Sequence, residues 1–317
     1  MRRPTVFIDG HAGTTGLRIH RVLENDPDLE LLTLDPAERK DPIARRKAAN
    51  AADLVVLCLP DEAARAAVSW IESPDTRVLD ASCAHRVAAD FVYGLPELEP
   101  GRRERIARAH RVSNPGCYAT GVILLLRPLI DAHLLAANAP LAIHALSGYS
   151  GGGRKMIERW ESADSGLIGL PHEAPYALGR PHKHLPEMAL YCSLSRPPAF
   201  VPAVGPFACG MRVEIPLPAA IAPSARAVWE TLAARYGGER FVRVAPFQET
   251  FEGDEWALDP QACNRTNRIE LLVAAHPQGH LLLVAVLDNL GKGACGAALQ
   301  NLNLMLGFDE DRGLSTG

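Results

Sequence analysis

The chain has 317 residues, of which 47% are hydrophobic and 22% charged, with a formal net charge of −4. This length allows two domains with sizeable cores, and the composition is that of an ordinary globular protein. The small negative charge argues against a nucleic acid or an anionic membrane surface as a partner, and no apolar run is long enough to span a bilayer.

The N-terminal residues lead directly into a strand-like segment without the pattern of a signal peptide, so we expect a cytoplasmic protein. The seven cysteines are odd in number and widely spaced, with no CxxC pair. This distribution favours reduced thiols over a disulfide framework, and we expect no bound metal.

Strand and helix patterns alternate over the first hundred residues. Strands are predicted at residues 6–8, 30–35, 54–60 and 77–80, and helices at 17–23, 44–52 and 61–71. The third strand is apolar throughout, which is typical of a parallel strand covered on both faces. The alternation predicts an α/β fold whose first domain is a Rossmann-type, doubly wound parallel sheet.

The pattern changes after residue 117. Strands are predicted at 141–147, 208–216, 269–275 and 281–287, and a Gly/Pro/His-rich stretch over 148–206 separates the first two. We expect that stretch to form functional loops of an α+β domain. The predicted organisation is a dinucleotide-binding domain over 1–116, a catalytic and substrate domain over 117–287, and a C-terminal segment over 288–317 whose helix packs back on the first domain.

Regularly spaced glycines follow the first predicted strand. Gly10, Gly13 and Gly16 form a G-x-x-G-x-x-G motif that includes Thr14 and Thr15. Glycine permits a tight turn and a close approach of a pyrophosphate to the N–H groups at the helix N-terminus. A plain tight turn is the alternative, but the position at the first junction of a βαβ unit favours dinucleotide binding.

Four further residues bear on the cofactor. Asp35 ends the second predicted strand, where an acidic residue accepts a hydrogen bond from the ribose 2′-OH of NAD. Arg39 follows with Lys40, and these cations either pair with the 2′-phosphate of NADP or are solvated loop charges. The chemistry of these residues therefore does not decide whether the cofactor is NAD or NADP. Ser82, in the loop after the fourth strand, is a further candidate cofactor contact.

Cys117 is the candidate nucleophile. It follows Asn114-Pro115-Gly116 and begins an apolar helical pattern. In a first helical turn, unpaired N–H groups and the positive end of the helix dipole favour a thiolate. A small core residue is the alternative, but the rigid Asn-Pro-Gly lead-in favours the catalytic interpretation.

His182 and His184 are the candidate acid–base residues. They lie two positions apart, just before the Pro186-Glu187 start of a predicted helix. Either can act as a general acid or base near neutral pH, and their spacing turns the two rings in different directions, so we expect one of them to reach the chemistry. A loop-packing pair is the alternative. A metal site is disfavoured because no third ligand lies nearby.

Two arginines near glycine-rich loops are candidates for binding an anion. Ser147 and Arg154 belong to a Ser-Gly-Tyr-Ser-Gly-Gly-Gly-Arg segment whose flexible backbone and cationic end suit an anionic substrate. Arg86, after the fourth strand, is a second candidate partner of a phosphate or carboxylate. Surface cations are the alternative interpretation of both arginines.

Taken together, these motifs resemble the shorter form of the N-acetyl-gamma-glutamyl-phosphate reductases, within the aspartate-semialdehyde dehydrogenase superfamily. The resemblance covers essentially the whole chain and rests on residues 10–16, 93–98, 113–121, 147–154, 182–187, 204–218, 288–293 and 300–307. It implies NADP(H), a cytoplasmic homodimer or homotetramer, a second domain that serves substrate binding and dimerisation, and the reductive step of arginine biosynthesis.

The residues and the resemblance together predict one mechanism. The Cys117 thiolate attacks an acyl phosphate and expels inorganic phosphate, NADPH reduces the thioester, and His182 or His184 protonates the oxyanion. Arg86 and Arg154 are expected to bind the phosphate and the substrate carboxylate. The remaining expected contacts are Asn114, Ser147 and Glu187 for the substrate and Asn289 and Gly291 for the nicotinamide end.

Two other functions stay open at this point. An aspartate-semialdehyde dehydrogenase would perform the same chemistry on a shorter substrate that carries a free amino group. A non-catalytic dinucleotide sensor would bind the cofactor but would not need a presented cysteine with a histidine pair.

Overall fold

The computed structural model describes residues 2–249, 251–254 and 258–317. The chain divides into two compact units, one formed by Met1–Pro115 with Ala294–Leu314 and the other by Gly116–Gly293 with Ser315–Gly317. The assignment of functional domains to residues 1–116, 117–287 and 288–317 stays a prediction.

The described residues form regular elements along the whole chain. The strands are β1 (Thr5–Asp9), β2 (Glu30–Leu32), β3 (Leu54–Leu57), β4 (Arg77–Asp80), β5 (Val92–Tyr93), β6 (Arg111–Ser113), β7 (Ala142–Gly148), β8 (Ala174–Pro175), β9 (Ala199–Gly205), β10 (Met211–Leu217), β11 (Val242–Val244), β12 (Ile269–Ala275) and β13 (Leu281–Leu287). The α-helices are α1 (Thr14–Leu23), α2 (Pro42–Ala51), α3 (Asp61–Ser69), α4 (Arg102–Arg108), α5 (Cys117–Asp131), α6 (Arg154–Glu161), α7 (Leu185–Tyr191), α8 (Ala225–Tyr236) and α9 (Gly296–Leu306). A π-helical turn, Gly291–Cys295, precedes α9.

The first unit is built on a parallel sheet with the strand order β2-β1-β3-β4-β6-β5. The chain reverses its direction of winding at β1, which pairs with β2 on one side and β3 on the other. The predicted Rossmann-type sheet is therefore confirmed. All four residues of β3 are buried, as expected for a strand covered on both faces.

The second strand is shorter than its apolar pattern predicts. It ends at Leu32, so Asp35 lies in the following loop rather than at the strand end. Pro36 follows Asp35 and cannot continue a paired strand, because proline has no backbone N–H. The Asp35 carbonyl oxygen instead accepts hydrogen bonds from the Glu38 and Arg39 amides and forms a turn.

The second unit contains a mixed sheet with the strand order β11-β12-β13-β10-β7-β9-β8. Burial alternates along β10: Met211, Val213 and Ile215 are buried, whereas Arg212 and Glu214 are partly exposed. Helices α5 and α8 pack on the face that carries the buried set. The predicted α+β arrangement of this part of the chain is confirmed.

The opposite face of this sheet, here called the outer face, is defined by half-buried side chains on neighbouring strands. It carries Leu146 of β7, Leu272 of β12 and Leu282 of β13. In its centre His144 Nδ1 lies 2.8 Å from Glu214 Oε2. The outer face thus combines apolar side chains with a charged centre.

The stretch over 148–206 contains more regular structure than its composition predicts. Helices α6 and α7 lie within it, and β9 pairs in parallel with β7 along its whole length. Pro202, which lies opposite Ala145, lowers the predicted strand propensity of β9, so the sequence pattern indicates a loop there. Burial of the strand between β7 and β8 outweighs the weak local propensity.

Helix α5 is strongly apolar, with buried residues on every turn. A Cβ at its Gly121 would lie 3.0 Å from a Val213 methyl group, so the glycine allows the helix to approach β10 closely. No helix within the described ranges has the length and apolar character needed to cross a membrane.

Candidate active site

The glycine turn between β1 and α1 leaves almost no room for side chains. Gly10 has φ of +90°, and a Cβ there would lie 2.3 Å from the Cys58 carbonyl oxygen. A Cβ on Gly16 would lie 2.5 Å from the Gly10 carbonyl oxygen. The N-cap of α1 is Gly13, which has no side chain to cap the first N–H groups. The turn therefore presents backbone donors and a positive helix end, and it fits a dinucleotide pyrophosphate.

The other predicted cofactor contacts near this turn are exposed or lie at the helix start. Thr14 and Thr15 are the first two residues of α1. The Asp35 and Arg39 side chains are exposed in the loop after β2. Their assignment to the ribose or the 2′-phosphate stays a prediction.

An ion pair that sequence reasoning missed lies at the entrance to the glycine turn. Asp9 is the last residue of β1 and is 3% exposed. Its carboxylate accepts from Arg45 of α2, with Nε and Nη2 each 2.9 Å from an oxygen. The two residues lie 36 positions apart, so no local pattern connects them.

A buried carboxylate organises the loop after β4. Asp80 accepts hydrogen bonds from the Ser82 amide and hydroxyl, both at 2.8 Å, and His85 Nδ1 lies 2.6 Å from its Oδ2. Arg86 follows, is 7% exposed, and its Nε donates to the Asn114 carbonyl oxygen at 3.0 Å. The surface-cation interpretation of Arg86 is therefore wrong, because burial and this hydrogen bond hold it inside the first unit.

Cys117 is the first residue of α5 and follows the N-cap Gly116. Its side chain is partly exposed, whereas Cys192 and Cys263 are buried. The position combines solvent access with the positive end of a helix dipole, which is what a reactive thiolate requires. Gly293 packs against it, since a Cβ there would lie 2.8 Å from the Cys117 Cβ.

His182 belongs to a chain of hydrogen bonds that includes Tyr176, which sequence reasoning missed. The His182 Nδ1 accepts from the His184 amide at 3.1 Å, and its Nε2 lies 3.1 Å from the Tyr176 hydroxyl. That hydroxyl lies 3.4 Å from the Tyr118 hydroxyl, which donates to the Ala203 carbonyl oxygen at 3.3 Å. Because Nδ1 accepts, the neutral ring of His182 carries its proton on Nε2.

His184 is connected through Glu187 to Gly116, the residue before Cys117. The two side chains are buried, and His184 Nε2 lies 4.0 Å from Glu187 Oε1. The other carboxylate oxygen of Glu187 accepts from the Gly116 amide at 3.0 Å. Glu187 thus faces His184 and the N-cap of α5 together, and its predicted contact with substrate stays a prediction.

The two tyrosines beside Cys117 are neutral hydrogen-bond donors. Burial raises the pKa of Tyr118 well above its usual value, and nearby charge on Tyr176 and Cys117 raises it further. Burial also raises the pKa of Tyr176 to about 12, against the opposing hydrogen bond with Tyr118. Charge on Cys117 raises both values, so the three groups share one electrostatic environment.

Ser147 and Asn289 are held by hydrogen bonds within the second unit. The Ser147 hydroxyl donates to the Gly148 carbonyl oxygen at 3.0 Å. Asn289 is 1% exposed; its Nδ2 donates to the Ser150 hydroxyl at 3.0 Å, and its Oδ1 accepts from the Gly210 amide at 2.8 Å. These hydrogen bonds stabilise the loops that carry Ser147 and Asn289. The predicted contacts of Ser147 with substrate and of Asn289 with the nicotinamide stay predictions.

Gly291 and Arg154 lie in contrasting surroundings. A Cβ on Gly291 would lie 2.1 Å from the Thr266 carbonyl oxygen, so only glycine fits that turn. Arg154 is the first residue of α6 and is exposed, which is compatible with either anion binding or a surface cation.

Family models match both units of this chain. Residues 5–109 match the semialdehyde dehydrogenase NAD binding domain, and residues 117–289 match the semialdehyde dehydrogenase dimerisation domain. The doubly wound sheet with its glycine turn and the cysteine at the start of α5 agree with this class. The chain is therefore a member of the semialdehyde dehydrogenases.

Curated relatives define the family within this class. The chain is 51% identical over 311 residues to N-acetyl-gamma-glutamyl-phosphate reductase 2 of Pseudomonas putida, covering 97% of this chain and 98% of that protein. It is 47% identical over 322 residues to N-acetyl-gamma-glutamyl-phosphate reductase 2 of Nostoc sp., covering 99% and 100% of the two chains. This chain belongs to the family of N-acetyl-gamma-glutamyl-phosphate reductases, as the motifs predicted.

Solved structures of low sequence identity share the fold. Aspartate semialdehyde dehydrogenase II from Vibrio cholerae, complexed with ASA, superposes with a TM-score of 0.69 at 14% identity, covering 96% of this chain and 99% of that one. Aspartate semialdehyde dehydrogenase with NADP from Candida albicans superposes with a TM-score of 0.61 at 15% identity, with the same coverage.

Proposed function

We propose that this chain catalyses the NADPH-dependent reduction of N-acetyl-L-glutamyl 5-phosphate to N-acetyl-L-glutamate 5-semialdehyde, with release of phosphate, in arginine biosynthesis. The names of relatives at about half identity over nearly the full length support the substrate. The single observation that carries the chemistry is the position of Cys117, which is partly exposed at the N-terminus of α5. Its charge also acts on Tyr176, whose hydroxyl contacts His182.

The glycine turn would hold the dinucleotide. Gly10, Gly13 and Gly16 would admit the pyrophosphate to the N–H groups of α1, with Thr14 and Thr15 at its start. Further along the first unit, Arg39 would pair with the 2′-phosphate, Asp35 would lie near the ribose, and Ser82 would contact the cofactor after β4. When bound, the cofactor supplies the hydride that reduces the acyl carbon.

Cys117 would form the covalent intermediate. Its sulfur attacks the acyl carbon, the bond from that carbon to the phosphate oxygen breaks, and inorganic phosphate leaves with the bonding pair. The helix N-terminus stabilises the attacking thiolate before this step. After reduction the carbon–sulfur bond breaks, and the semialdehyde leaves as the thiolate is restored.

We assign the acid–base role to His184 and a supporting role to His182. Both ring nitrogens of His182 are engaged, one by the His184 amide and one by Tyr176. His184 faces the Glu187 carboxylate, which would stabilise the imidazolium that forms when the ring takes up a proton. His184 would therefore give its proton to the oxyanion formed on reduction, and it would take that proton back as the carbon–sulfur bond breaks and the aldehyde carbonyl forms.

The anionic groups of the substrate would be bound by arginines. Arg86, which is buried and donates to the Asn114 carbonyl oxygen, would bind the phosphate through its positive charge. Arg154, in the glycine-rich segment after Ser147, would bind the carboxylate.

The outer face of the second unit would form the subunit interface of a homodimer. Its leucines leave apolar surface partly exposed, and Val201 on the adjoining strand is 40% exposed. Exposed apolar patches of this kind are typical of interfaces between subunits. The matched family model, a dimerisation domain, supports this assignment.

The experiment that tests the function runs the reaction in reverse. Purified protein is mixed with NADP⁺, phosphate and N-acetylglutamate semialdehyde, and NADPH is followed by absorbance, with aspartate semialdehyde and NAD⁺ as controls. We expect phosphate-dependent reduction of NADP⁺ with the acetylated aldehyde. Activity restricted to aspartate semialdehyde, or cofactor binding without activity on any aldehyde, would contradict the proposal.

A further inference from the structure

A carboxylate lies at the point where the chain enters the dinucleotide-binding turn. Asp9 directly precedes Gly10, the residue whose φ of +90° starts the turn. It is 3% exposed, and its carbonyl oxygen accepts from the Cys58 amide at 2.8 Å. The turn that must accept an anionic pyrophosphate therefore carries a buried acidic side chain at its first step.

Arg45 compensates this charge with a specific geometry. Its Nε lies 2.9 Å from Asp9 Oδ1 and its Nη2 lies 2.9 Å from Oδ2, so the contact is bidentate. The guanidinium is 5.0 Å from the centre of the Trp70 ring, which supports its orientation. The side chains of Arg45 and Asp9 are only 12% and 4% exposed, so water screens the pair weakly.

An unpaired carboxylate at this place would oppose cofactor binding. Like charges a few residues apart repel more strongly where water is excluded, and at an effective dielectric constant of about 20 one such charge changes a binding constant by roughly tenfold or more. An unpaired guanidinium would have the opposite effect on an anionic ligand.

We propose that Arg45 is a charge-compensating and positioning residue for the dinucleotide turn, which neutralises Asp9 so that the turn accepts the anionic cofactor. This inference rests on the proposed use of NADPH by this chain. Arg45 does not itself touch the cofactor in this proposal; its Nε and Nη2 donate to Asp9.

The test measures the dissociation constant of NADPH by fluorescence titration for paired variants. Arg45→Met keeps the length and apolar stem of the side chain and removes the charge, and we expect the dissociation constant to rise by roughly tenfold or more. Arg45→Lys keeps the charge but loses the bidentate geometry, so charge compensation predicts a clearly smaller rise in the dissociation constant than in Arg45→Met. The double variant Arg45→Met with Asp9→Asn should recover most of the lost affinity.

Asp9→Asn alone separates charge compensation from a merely structural role. It preserves the shape of the side chain and leaves Arg45 positive, so charge compensation predicts NADPH binding that is equal or tighter. A structural role predicts weaker binding in Asp9→Asn and no recovery in the double variant, and either result overturns the proposal. If Arg45→Met does not fold, Asp9→Asn still decides the outcome.

Arg46→Met is the matched control on the same helix. Arg46 pairs with Glu72 at the surface, where the side chains are 53% and 69% exposed, and we expect no change in the NADPH dissociation constant. Failure of the unmodified chain to bind NADPH would contradict the proposed function. Normal binding in the unmodified chain with unchanged binding in Arg45→Met would contradict this inference alone.

Discussion

For a single residue, the backbone around Cys117 supplies the hydrogen-bond donors and positive dipole that stabilise its thiolate. An ordinary thiol is mostly protonated at neutral pH, and its thiolate is favoured at a helix N-terminus by unpaired N–H groups. Glu187 accepts from the Gly116 amide, so it occupies one donor next to Cys117 while facing His184. The carboxylate therefore links the position of the Cys117 thiol to that of His184, the proposed acid–base residue.

Replacement of Cys117, the proposed nucleophile, should separate chemistry from cofactor binding. In Cys117→Ser, we expect kcat to fall by roughly a thousandfold or more, because a serine hydroxyl is a weak nucleophile without a dedicated base. The dissociation constant of NADPH should remain within about twofold, since the turn that binds it belongs to other residues. Cys83, a partly exposed thiol in the loop after β4, provides the control variant Cys83→Ser. Loss of cofactor binding together with turnover in Cys117→Ser would contradict the separated roles.

Neutralising the partner of His184 should slow the chemical step. Glu187→Gln keeps the side-chain length and an oxygen that accepts from the Gly116 amide, but it removes the charge that faces His184. We expect kcat to fall by about ten- to a hundredfold with little change in KM for NADP⁺, as for loss of support to a general acid or base. Steady-state kinetics of the reverse reaction measure both constants, and an unchanged kcat would argue against the assigned role of His184.

At the scale of elements, one arginine holds the carboxyl ends of two helices. Arg77, at the start of β4, donates from Nη2 to the Ala107 carbonyl oxygen at 2.8 Å and from Nε to that of Ala109 at 3.0 Å, at the end of α4. Its Nη1 donates to the Met305 carbonyl oxygen near the end of α9. The last carbonyl groups of a helix have no partners within the helix, so a cation placed there satisfies them and complements the dipole.

Removal of this arginine should destabilise the first unit. In Arg77→Met several helix-end carbonyl groups lose their donor, and we expect the free energy of unfolding to fall by about 2–4 kcal/mol. Urea denaturation followed by circular dichroism measures the change. Arg111→Met, which breaks an exposed pair with Asp90, should cost less than about 1 kcal/mol; equal effects of the two variants would refute the argument.

At the scale of the whole molecule, buried groups that ionise at high pH limit stability in alkali. Burial raises the pKa of the Cys192 thiol, which is 0% exposed, far above its usual value. The thiol stays protonated in the folded chain but ionises in the unfolded chain above about pH 8.5. Its contribution to stability is complete below that pH and is lost as the pH rises, because the unfolded state then binds fewer protons.

Stability should therefore decrease between pH 8.5 and 10.5, and replacing one thiol should flatten the decrease. In Cys192→Ala the slope of the free energy of unfolding against pH should be smaller by about 1.4 kcal/mol per pH unit at the alkaline end. Urea denaturation at several pH values measures the slopes. Parallel curves for the variant and the unmodified chain would contradict the assignment of the titration to this thiol.

If the outer face is the homodimer interface, a charge placed on it should prevent dimerisation. Val201→Glu places a charge on this face, and we expect it to convert a homodimer into monomers at micromolar concentration, because an unpaired charge buried in an interface is costly. Analytical ultracentrifugation measures the mass. Leu178→Glu, at a position that is 71% exposed outside the sheet, should leave the dimer intact. A monomeric unmodified chain, or a dimeric Val201→Glu, would contradict the proposed interface.

The parts of the fold that could be predicted are those encoded by neighbouring residues. The apolar run of β3 and the Gly10 to Gly16 spacing identify a buried parallel strand and a dinucleotide turn, because both patterns are local. The strand β9 escaped prediction because Pro202 lowers its local strand propensity, while its pairing with β7 depends on residues more than fifty positions away.

In the candidate site, too, only the residues with a local sequence signal could be predicted. Cys117 and the histidine pair could be predicted as site residues from their immediate neighbours, because Asn-Pro-Gly and the Pro-Glu helix start lie beside them in the chain. Tyr176 had no local signal, and only the folded chain places its hydroxyl against His182. The link from Glu187 to the Gly116 amide spans 71 positions, and no periodic pattern encodes such a contact.

The sequence by itself determined the family and the doubly wound sheet, and it singled out Cys117 as the candidate nucleophile, because periodicity and short motifs act over a few residues. Tertiary structure alone decided that Arg45 pairs with Asp9, that Arg86 is buried and donates to Asn114, and that His182 is engaged on both ring nitrogens. These facts depend on which distant groups meet and on how far water is excluded from them. Charge and proton affinity are set by that environment rather than by residue type.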